Sequence, residues 1–451
     1  MMENTREIAA TTLYAITEDG AYANLTLGNA LRKSHLDQRD KSFVTNLVYG
    51  TLEHLCPIDY QVKQFLKKPV KKKDRFLMTL LRLGFFELMY TSVPGRAVVN
   101  EIVKLAKKYG HQGWGNMANG ILRNFLRQKN QLVWPVFQNR LDQILFEQSL
   151  PQWLGDLWKR ERGEEEALLL LESIGKSRPF TFRINSLKTD RDHLMERLER
   201  EGYHVKPCLY SPHGFRWESG ENPLTSLEYQ EGYFTVQEES SQLASLALAP
   251  NPGQTVLDLC AAPGGKSTHL AQLMENRGLI MAGDIHPHKI ALIEENAKRL
   301  AIDIIQAEVK DGRTWGEDFP NHFDAVLLDA PCSGLGVFAR RQDARFRKDA
   351  ADIATLAKVQ WDLIGSAIKA LKPGGILVYS TCTLTNEENH QNREKLLTEF
   401  PKMKPFDLSR RLPCFSQKEA ACLEKGYLEL LPYRHHTDGF YISAYRKDPP
   451  Q

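Results

Sequence analysis

Strand-like and helix-like segments alternate regularly over the C-terminal half of the sequence. Apolar segments typical of buried strands occur at residues 255–259, 279–284, 325–329 and 376–380, with helix-like stretches between them. This alternation predicts a parallel sheet flanked by helices, because parallel strands need long crossover connections. Ligands of such sheets bind beyond the carboxyl ends of the strands. We therefore expect an α/β domain over residues 237–451, with its functional side chains at those strand ends.

The preceding residues predict two further parts. Residues 1–142 have the pattern of an all-α domain, and the apolar stretch 76–88 is expected to be its central buried helix. Residues 150–236 combine strand-like segments such as 179–185 with a charged helix at 190–201. This mixture indicates a small α+β module between the helical part and the α/β domain.

The composition excludes several classes of protein. With 42% hydrophobic and 25% charged residues, the chain can bury several cores and is not mainly disordered. No apolar run approaches the ~18 to 20 residues that span a bilayer, and the first residues lack the pattern of a signal peptide. Seven cysteines without a C-x-x-C pair argue against a disulfide framework and structural zinc, and favour a reducing compartment. We expect a cytoplasmic protein without membrane association or metal.

The first third of the sequence is more basic than the rest. Residues 1–150 hold 21 lysines and arginines against 13 acidic residues, whereas the whole chain has a net charge of +3. This asymmetry indicates a polyanionic partner, most simply a nucleic acid, although a lysine-rich surface can also serve only solubility. The segment Lys67–Lys73 and the pair Arg123 and Arg127 are our candidates for phosphate contacts.

A turn of small residues follows the first strand of the alternating region. Small residues let a ligand approach the backbone, and the helix that follows offers free N–H groups. Asp284 closes the next strand, where nucleoside-binding sheets place an acid on the ribose hydroxyls. The pattern excludes a P-loop, which needs a glycine where Cys260 stands, and favours an adenosine-containing ligand over a merely structural turn. The turn consists of Cys260, Ala261, Ala262, Pro263, Gly264, Gly265 and Lys266.

Two further strand ends each carry a cysteine. Cys332 follows the strand 325–329, and Cys382 follows the strand 376–380. A lone cysteine is usually a small buried apolar residue, but two cysteines at the same edge of one sheet suggest a catalytic role for their thiols. A reactive thiolate there requires a lowered pKa or a nearby base. Zinc is disfavoured, because these cysteines are far apart in the sequence and no histidine lies at ligand spacing.

Four motifs lie in the C-terminal half of the sequence, namely LDLCAAPGGKSTH, LLDAPCSGLG, YSTCTLTNEEN and Asp438-Gly-Phe-Tyr441. They resemble the motifs of S-adenosylmethionine-dependent RNA cytosine-C5 methyltransferases. The helical part resembles a NusB-type RNA-binding domain, and the central module is similar to an RRM. This combination resembles the Sun/Fmu/RsmB group, which methylates a cytosine of 16S ribosomal RNA. The resemblance implies a Rossmann-like methyltransferase domain at 237–451, after a NusB-like domain and an α+β RNA-binding module.

The resemblance also implies catalytic roles. Cys382 in the T-C motif would be the nucleophile, and Cys332 in the P-C motif would assist proton removal and product release. Spacing alone does not tell which cysteine has which role. Asp329 would hydrogen-bond the N3/N4 edge of the cytosine, with a strand-end cap as the alternative. Lys266 would orient Asp329, or serve only as a cation at the start of a helix.

S-adenosylmethionine is the cofactor that the resemblance implies. Residues 260–266 would line its methionine and adenosine side, Asp284 would bind the ribose, and Asp311 would lie near the adenine. Asp329 would close the site. We expect the partner to be 16S ribosomal RNA, protein-free or in early assembly, and the protein to be a monomer. The alternatives are the same chemistry on transfer RNA or another RNA, and a non-catalytic RNA-binding assembly factor.

The sequence departs from the family pattern in three places. Thr383 stands where a serine is usual after the T-C motif, and Glu238 stands where an aspartate is usual. The segment Ala339-Arg340-Arg341-Gln342-Asp343 replaces a common R-R-H-P-D pattern, which puts base or backbone contacts of that loop in doubt. None of these changes touches Cys332 or Cys382.

Overall fold

The computed structural model describes residues 4–176, 178–340 and 344–449. The chain forms two compact units. One unit consists of Met1–Gly175 with Phe338–Asp349, and the other of Lys176–Val337 with Ala350–Gln451. Of the described helices, none combines the length and apolar character that crossing a bilayer requires.

Every long element described in the first unit is a helix. These are α1 Thr5–Thr17, α2 Ala23–Lys33, α3 Gln38–Glu53, α4 Leu55–Phe65, α5 Arg75–Tyr90, α6 Gly95–Tyr109, α7 Gln112–Gln128, α8 Arg140–Glu147, α9 Gln152–Arg162 and α10 Glu164–Ile174. Helix α5 lies at the centre, and its residues Leu80, Leu81, Leu83 and Phe85 have no exposed surface. This confirms the predicted central helix, because a helix that is apolar nearly all round must be covered on every side.

The second unit begins with a small α+β module, as predicted. Its elements are β1 Phe180–Ile184, α11 Arg191–Arg200, β2 His204–Pro207, β3 Gly214–Ser219, α12 Leu227–Gln230 and β4 Phe234–Val236. The strands form an antiparallel sheet in the order β2-β3-β1-β4. Buried aromatic side chains on its core face, among them Phe182, Phe215 and Phe234, pack against Leu194 and Leu198 of α11.

A larger sheet forms the rest of the second unit. Its strands are β5 Thr255–Asp258, β6 Leu279–Asp284, β7 Ile305–Val309, β8 Phe323–Asp329, β9 Leu371–Thr381, β10 Met403–Pro405, β11 Tyr427–Leu430 and β12 Phe440–Lys447. Its helices are α13 Glu239–Leu248, α14 Gly265–Leu273, α15 Pro287–Arg299, α16 Trp315–Asp318, α18 Ala350–Ala370, α19 His390–Glu399, α20 Gln417–Glu424 and α21 Pro432–His435, whereas α17 Ala344–Arg347 belongs to the first unit.

The larger sheet is mixed rather than purely parallel, which corrects the prediction. The strand order is β10-β12-β9-β8-β5-β6-β7, with β11 paired to β12. Strands β5 to β9 pair in parallel, but β12 is antiparallel to β9 and adds an antiparallel edge. The chain leaves β5 towards β6 on one side and returns at β8 on the other. This reversal opens a crevice at the carboxyl ends of β5 and β8, where sheets of this type bind ligands.

Two polar residues of β1 fix the module to the larger sheet. Arg183 is fully buried and donates to the Gly265 carbonyl oxygen at 2.6 Å, to Thr268 Oγ1 at 3.0 Å and to Gln272 Oε1 at 3.0 Å. Asn185, also fully buried, donates from Nδ2 to the carbonyl oxygens of Leu300 and Gly232 at 2.8 and 2.9 Å. The two side chains therefore join the module to the larger sheet and its helices, and neither is exposed.

Gly232 allows the module to approach helix α15. Its φ of +74° lies in the left-handed region, and a Cβ built on it would collide with the Arg299 carbonyl oxygen. Gly253 also has a positive φ, +88°, but a Cβ there has nothing within 4 Å. We expect Gly232→Ala to lower the free energy of unfolding by about 1–3 kcal/mol more than Gly253→Ala, because only the first adds overpacking to backbone strain.

Urea unfolding of both variants and the wild type measures this difference. The Gly253→Ala variant controls for the cost of an alanine at positive φ. Equal losses in the two variants would contradict a close approach of the module to α15.

Candidate functional site

The turn after β5 is held tightly by its own backbone. The Ala261 N–H donates to the Gly283 carbonyl oxygen at 2.8 Å, and the Gly264 N–H donates to that of Ala261 at 2.7 Å. Gly264 has a φ of +93°, and a Cβ there would lie 3.0 Å from Ile293 Cα. A glycine is therefore required, and helix α14 starts directly after it with unpaired N–H groups in its first turn.

Three predicted acids lie at the carboxyl ends of three parallel strands of the sheet. Asp284 ends β6 and accepts from the His286 N–H at 2.9 Å. Asp311 follows β7 and pairs with Arg313, whose guanidinium lowers the pKa of this carboxyl. Asp329 ends β8. The topology thus brings these carboxylates to one edge of the sheet, beside the glycine turn.

Lys266 and Asp329 form an ion pair at this edge. Lys266 Nζ lies 2.6 Å from Asp329 Oδ2, and Ser380 Oγ donates to Asp329 Oδ1 at 2.8 Å. Lys266 Nζ also lies 5.4 Å from the centre of the Phe440 ring, within cation–π range. Asp329 is therefore oriented by two donors, and a lysine of the turn is one of them.

The two predicted cysteines lie in contact. Cys332 and Cys382 have their sulfur atoms 3.3 Å apart. Each belongs to a loop at the carboxyl end of its strand, the first cysteine loop (residues 330–337) after β8 and the second cysteine loop (residues 382–389) after β9. The hydrogen bond with the Cys382 sulfur, together with burial, raises the pKa of the Cys332 thiol well above its usual value.

Glu388 connects the two cysteine loops, and the sequence reasoning missed it. This fully buried carboxylate accepts from the Ser333 N–H at 2.8 Å, from Ser333 Oγ, from Thr385 Oγ1 at 2.8 Å and from Gln360 Nε2 at 3.0 Å. Ser333 and Thr383 also hydrogen-bond through their hydroxyls at 2.7 Å, so Thr383 serves in place of the usual serine. The acidic run after the T-C motif was the available signal, but spacing did not show which acid turns inward.

Two glycines let a third segment support the second cysteine loop. Gly336 donates its N–H to the Cys382 carbonyl oxygen at 3.1 Å, and Gly439 donates to that of Gly336 at 2.9 Å. A Cβ on Gly336 would collide with the Gly439 carbonyl oxygen. Asp438, next in line, pairs with Arg178 at 2.9 Å. The D-G-F motif therefore supports the second cysteine loop through the backbone of Gly336.

The structure accounts for Glu238, another of the departures from the family pattern. Glu238 caps helix α13 by accepting from the Ser240 N–H at 2.6 Å, and it also accepts from the Asp438 N–H at 3.3 Å. The longer side chain is thus accommodated as a cap. Residues 341–343 lie outside the described residues. Within the described residues, no group of three or more His, Cys, Asp or Glu side chains is arranged to hold a metal ion.

Comparison with known proteins identifies the family. Residues 245–446 match the family described as 16S rRNA methyltransferase RsmB/F, residues 3–127 match the NusB family, and residues 150–222 match the RsmF/B-like ferredoxin-like domain. A protein of Bacillus subtilis named "Probable ribosomal RNA small subunit methyltransferase B" is 37% identical over 98% of this chain and 99% of its own length. The chain belongs to the RsmB/F family.

Two solved structures share the fold of this chain. The crystal structure of PH0851 superimposes with a TM-score of 0.82 and 27% identity, covering 99% of this chain and 100% of that one. NSun6 from Pyrococcus horikoshii with SFG has a TM-score of 0.59 and 25% identity, covering 66% of this chain and 99% of that one.

The RsmB/F family uses S-adenosylmethionine, and the residues present fit that cofactor. The carboxylates of Asp284, Asp311 and Asp329 can accept hydrogen bonds from the hydroxyl and amino groups of a nucleoside, and Gly264, with its positive φ and no side chain, leaves the backbone of the turn open to it. Residues 260–266 and the three acids would hold the cofactor. When bound, it supplies an electrophilic methyl group.

We expect Glu388→Gln to loosen both cysteine loops. The amide offers one acceptor oxygen where the carboxylate offers two, so buried donors lose partners at a cost of about 1–3 kcal/mol. Calorimetry should show a lower melting temperature, and mass-spectrometric mapping should show faster alkylation of Cys332 by iodoacetamide. The control is Glu387→Gln, an adjacent acid that is partly exposed. Equal alkylation rates in the two variants would contradict the connecting role of Glu388.

Asp258 makes the stability depend on pH. This buried acid lies at the end of β5, its Oδ2 accepts from Ser267 at 2.7 Å, and burial raises its pKa from 3.8 to about 7. The folded state therefore binds the proton more tightly than the unfolded state, and this stabilisation is lost as the pH rises from about 4 through 7. Relative to Asp258→Asn, the wild-type free energy of unfolding should fall over that window, by up to roughly 4 kcal/mol.

Asp324→Asn is the control for this titration. Burial alone would raise the pKa of Asp324, but hydrogen bonds from Lys372 and the Thr255 N–H outweigh it and lower the pKa. Its contribution is lost only as the pH falls below about 4, so its difference from the wild type should stay constant between pH 5 and 7. A constant difference for Asp258→Asn as well would show that Asp258 is ionised in the folded protein.

Proposed function

We propose that this protein methylates C5 of a cytosine in 16S ribosomal RNA through a transient bond between the Cys382 sulfur and C6 of the base. The observation that carries the proposal is the contact between the Cys332 and Cys382 sulfur atoms, 3.3 Å apart, at the strand ends that also present Asp329 and Lys266. Two thiols beside an oriented carboxylate fit nucleophilic addition better than direct methyl transfer to an oxygen or an exocyclic nitrogen.

The chemistry of cytosine explains the need for a nucleophile. C5 is too weakly nucleophilic to take a methyl group unaided. Addition of the Cys382 thiolate to C6 converts C5 into an enamine-like carbon that can accept the methyl group. As the thiolate adds, N3 takes up a proton from solvent, which it returns when the base is released. Asp329, oriented by Lys266 and Ser380, accepts hydrogen bonds from N4 and from protonated N3, and this favours the addition.

The family resemblance assigns the two roles, with Cys382 of the T-C motif as the nucleophile and Cys332 of the P-C motif as the residue that assists proton removal and product release. The raised pKa of the Cys332 thiol agrees with a protonated state of that residue. After methylation the C5 proton passes to the Cys332 sulfur while the Cys332 proton passes to Cys382, whose bond to C6 breaks. Both residues end as thiols, and one proton then leaves to solvent before the next turnover.

The similarity over the whole chain supports ribosomal RNA as the substrate. The Bacillus subtilis relative, which is named as a probable methyltransferase of small-subunit ribosomal RNA, covers 98% of this chain, including its NusB-like part. The same chemistry on transfer RNA is therefore the weaker candidate. A non-catalytic assembly factor is disfavoured by a complete set of cysteines and acids. We further propose that the protein acts as a cytoplasmic monomer on protein-free or early-assembly RNA.

Two alanine variants test the mechanism. With labelled S-adenosylmethionine and 16S transcript, Cys382→Ala should lose at least about 1,000-fold in activity and form no covalent RNA adduct, because the nucleophile is absent. Cys332→Ala should accumulate a denaturant-resistant protein–RNA adduct, because the bond to C6 forms but is not released. Denaturing gels measure the adduct, and bisulfite sequencing of the product locates the methylated base.

Cys414→Ala, which removes an exposed cysteine, is the matched control and should behave as the wild type. An adduct in Cys382→Ala would overturn the nucleophile assignment. If Cys332→Ala forms no adduct, Cys332 does not take part in product release. Label incorporated at a position other than C5 would overturn the proposed reaction.

A further inference from the structure

A deep groove crosses the surface of the helical unit. One wall is a face of helix α7, and the other runs from the end of α4 through the connection to the start of α5, residues 65–77. The groove encloses about 900 Å³, at the upper end of the range in which proteins bind ligands. It lies wholly within residues 65–127, and none of its residues belongs to the methyltransferase site.

The rim of the groove is basic. Lys67, Lys68, Lys71 and Arg127 line it and are exposed, whereas Asp74 is the one carboxylate among the described residues that line it. The N-terminal end of α7 opens into the same groove, and the helix dipole adds positive potential there. The groove therefore attracts a polyanion along its whole length.

The floor of the groove is apolar. Leu77, Ile121 and Trp114 form it and are largely buried, whereas Met117 leaves 37% of its surface exposed between the cationic residues. A rim of cations around an apolar and aromatic floor suits a chain that carries phosphates at its edge and flat bases inside. A duplex does not fit this pattern, because its bases are stacked away from such a floor.

We infer that this groove binds an unpaired segment of the RNA substrate, with phosphates on the lysines of the rim and bases on the floor. The inference rests on the proposed function for the identity of that RNA. The inference also divides the residues that the sequence suggested for phosphate contact into two groups. Those that line the groove are Lys67, Lys68, Lys71 and Arg127, and those that do not are Lys72, Lys73 and Arg123.

Gly120 offers a test that leaves the packing of the fold unchanged. It lies on the groove face of α7, and a Cβ built on it has nothing within 4 Å. Gly120→Glu therefore places a carboxylate in the groove without a clash and removes a glycine from a helix interior, which favours the helix. Gly28 in α2 has the same open space and does not line the groove, so Gly28→Glu makes the same charge change elsewhere.

The experiment measures binding of a labelled, unstructured 12-nucleotide RNA by fluorescence anisotropy at several salt concentrations, and methylation of 16S transcript. We expect Gly120→Glu to weaken binding of the oligonucleotide by about tenfold or more and to flatten its salt dependence. The apparent KM for the transcript should rise. Gly28→Glu should remain within about twofold of the wild type in both assays.

Three outcomes would overturn the inference. In the first, the two variants bind the oligonucleotide with equal affinity. In the second, a duplex of the same length competes for the groove as well as the single strand does. In the third, Gly120→Glu changes the binding of a polyglutamate peptide but not the binding of RNA. The proposed function fails separately. If the wild type leaves 16S transcript unmethylated but oligonucleotide binding still depends on Gly120, the groove is an RNA site and the methylation proposal is wrong.

Discussion

Strands β8 and β9 pair in parallel with Asp329 opposite Ser380, and the geometry of the site depends on this register. The pairing places Ser380 where its hydroxyl reaches the Asp329 carboxylate. Cys332 lies three residues beyond one partner and Cys382 two residues beyond the other, so the two sulfur atoms meet above the strand ends. A slip by two residues would move one loop by about 6.6 Å, twice the distance between those sulfur atoms.

Much of this arrangement was predictable, because parallel strands end at a common edge. The alternation of strands and helices located β5, β6, β8 and β9 to within a few residues, and the motifs at their ends named the cysteines and acids that now lie together. The antiparallel strand β12 was not foreseen, because the period of an apolar strand does not reveal the direction in which it pairs.

Buried polar residues were the main omission. Glu388 and Arg183 belong to charged types that are mostly exposed, so sequence patterns give no reason to place them inside. Arg183 belongs to the module that the resemblance assigned to RNA binding, but it is fully buried and donates to uncharged oxygens, and burial lowers its pKa to about 9. Its buried cation is stabilised by amide, hydroxyl and carbonyl oxygens of helix α14, which lies far from β1 in the sequence. Such a contact cannot be inferred from either segment alone.

The backbone contacts of Gly336 and Gly439 have a consequence for how the molecule acquires activity during synthesis. The glycine turn after β5 is complete once β5, β6, α14 and α15 have formed, because Asn296 of α15 donates from Nδ2 to the Pro263 carbonyl oxygen at 2.9 Å. The second cysteine loop instead rests on Gly336, which in turn is bonded to Gly439 just before β12. A chain emerging from the ribosome thus gains this turn about 140 residues before the loop that carries Cys382 is supported. The Cys382 sulfur is therefore held in place only in a nearly finished chain.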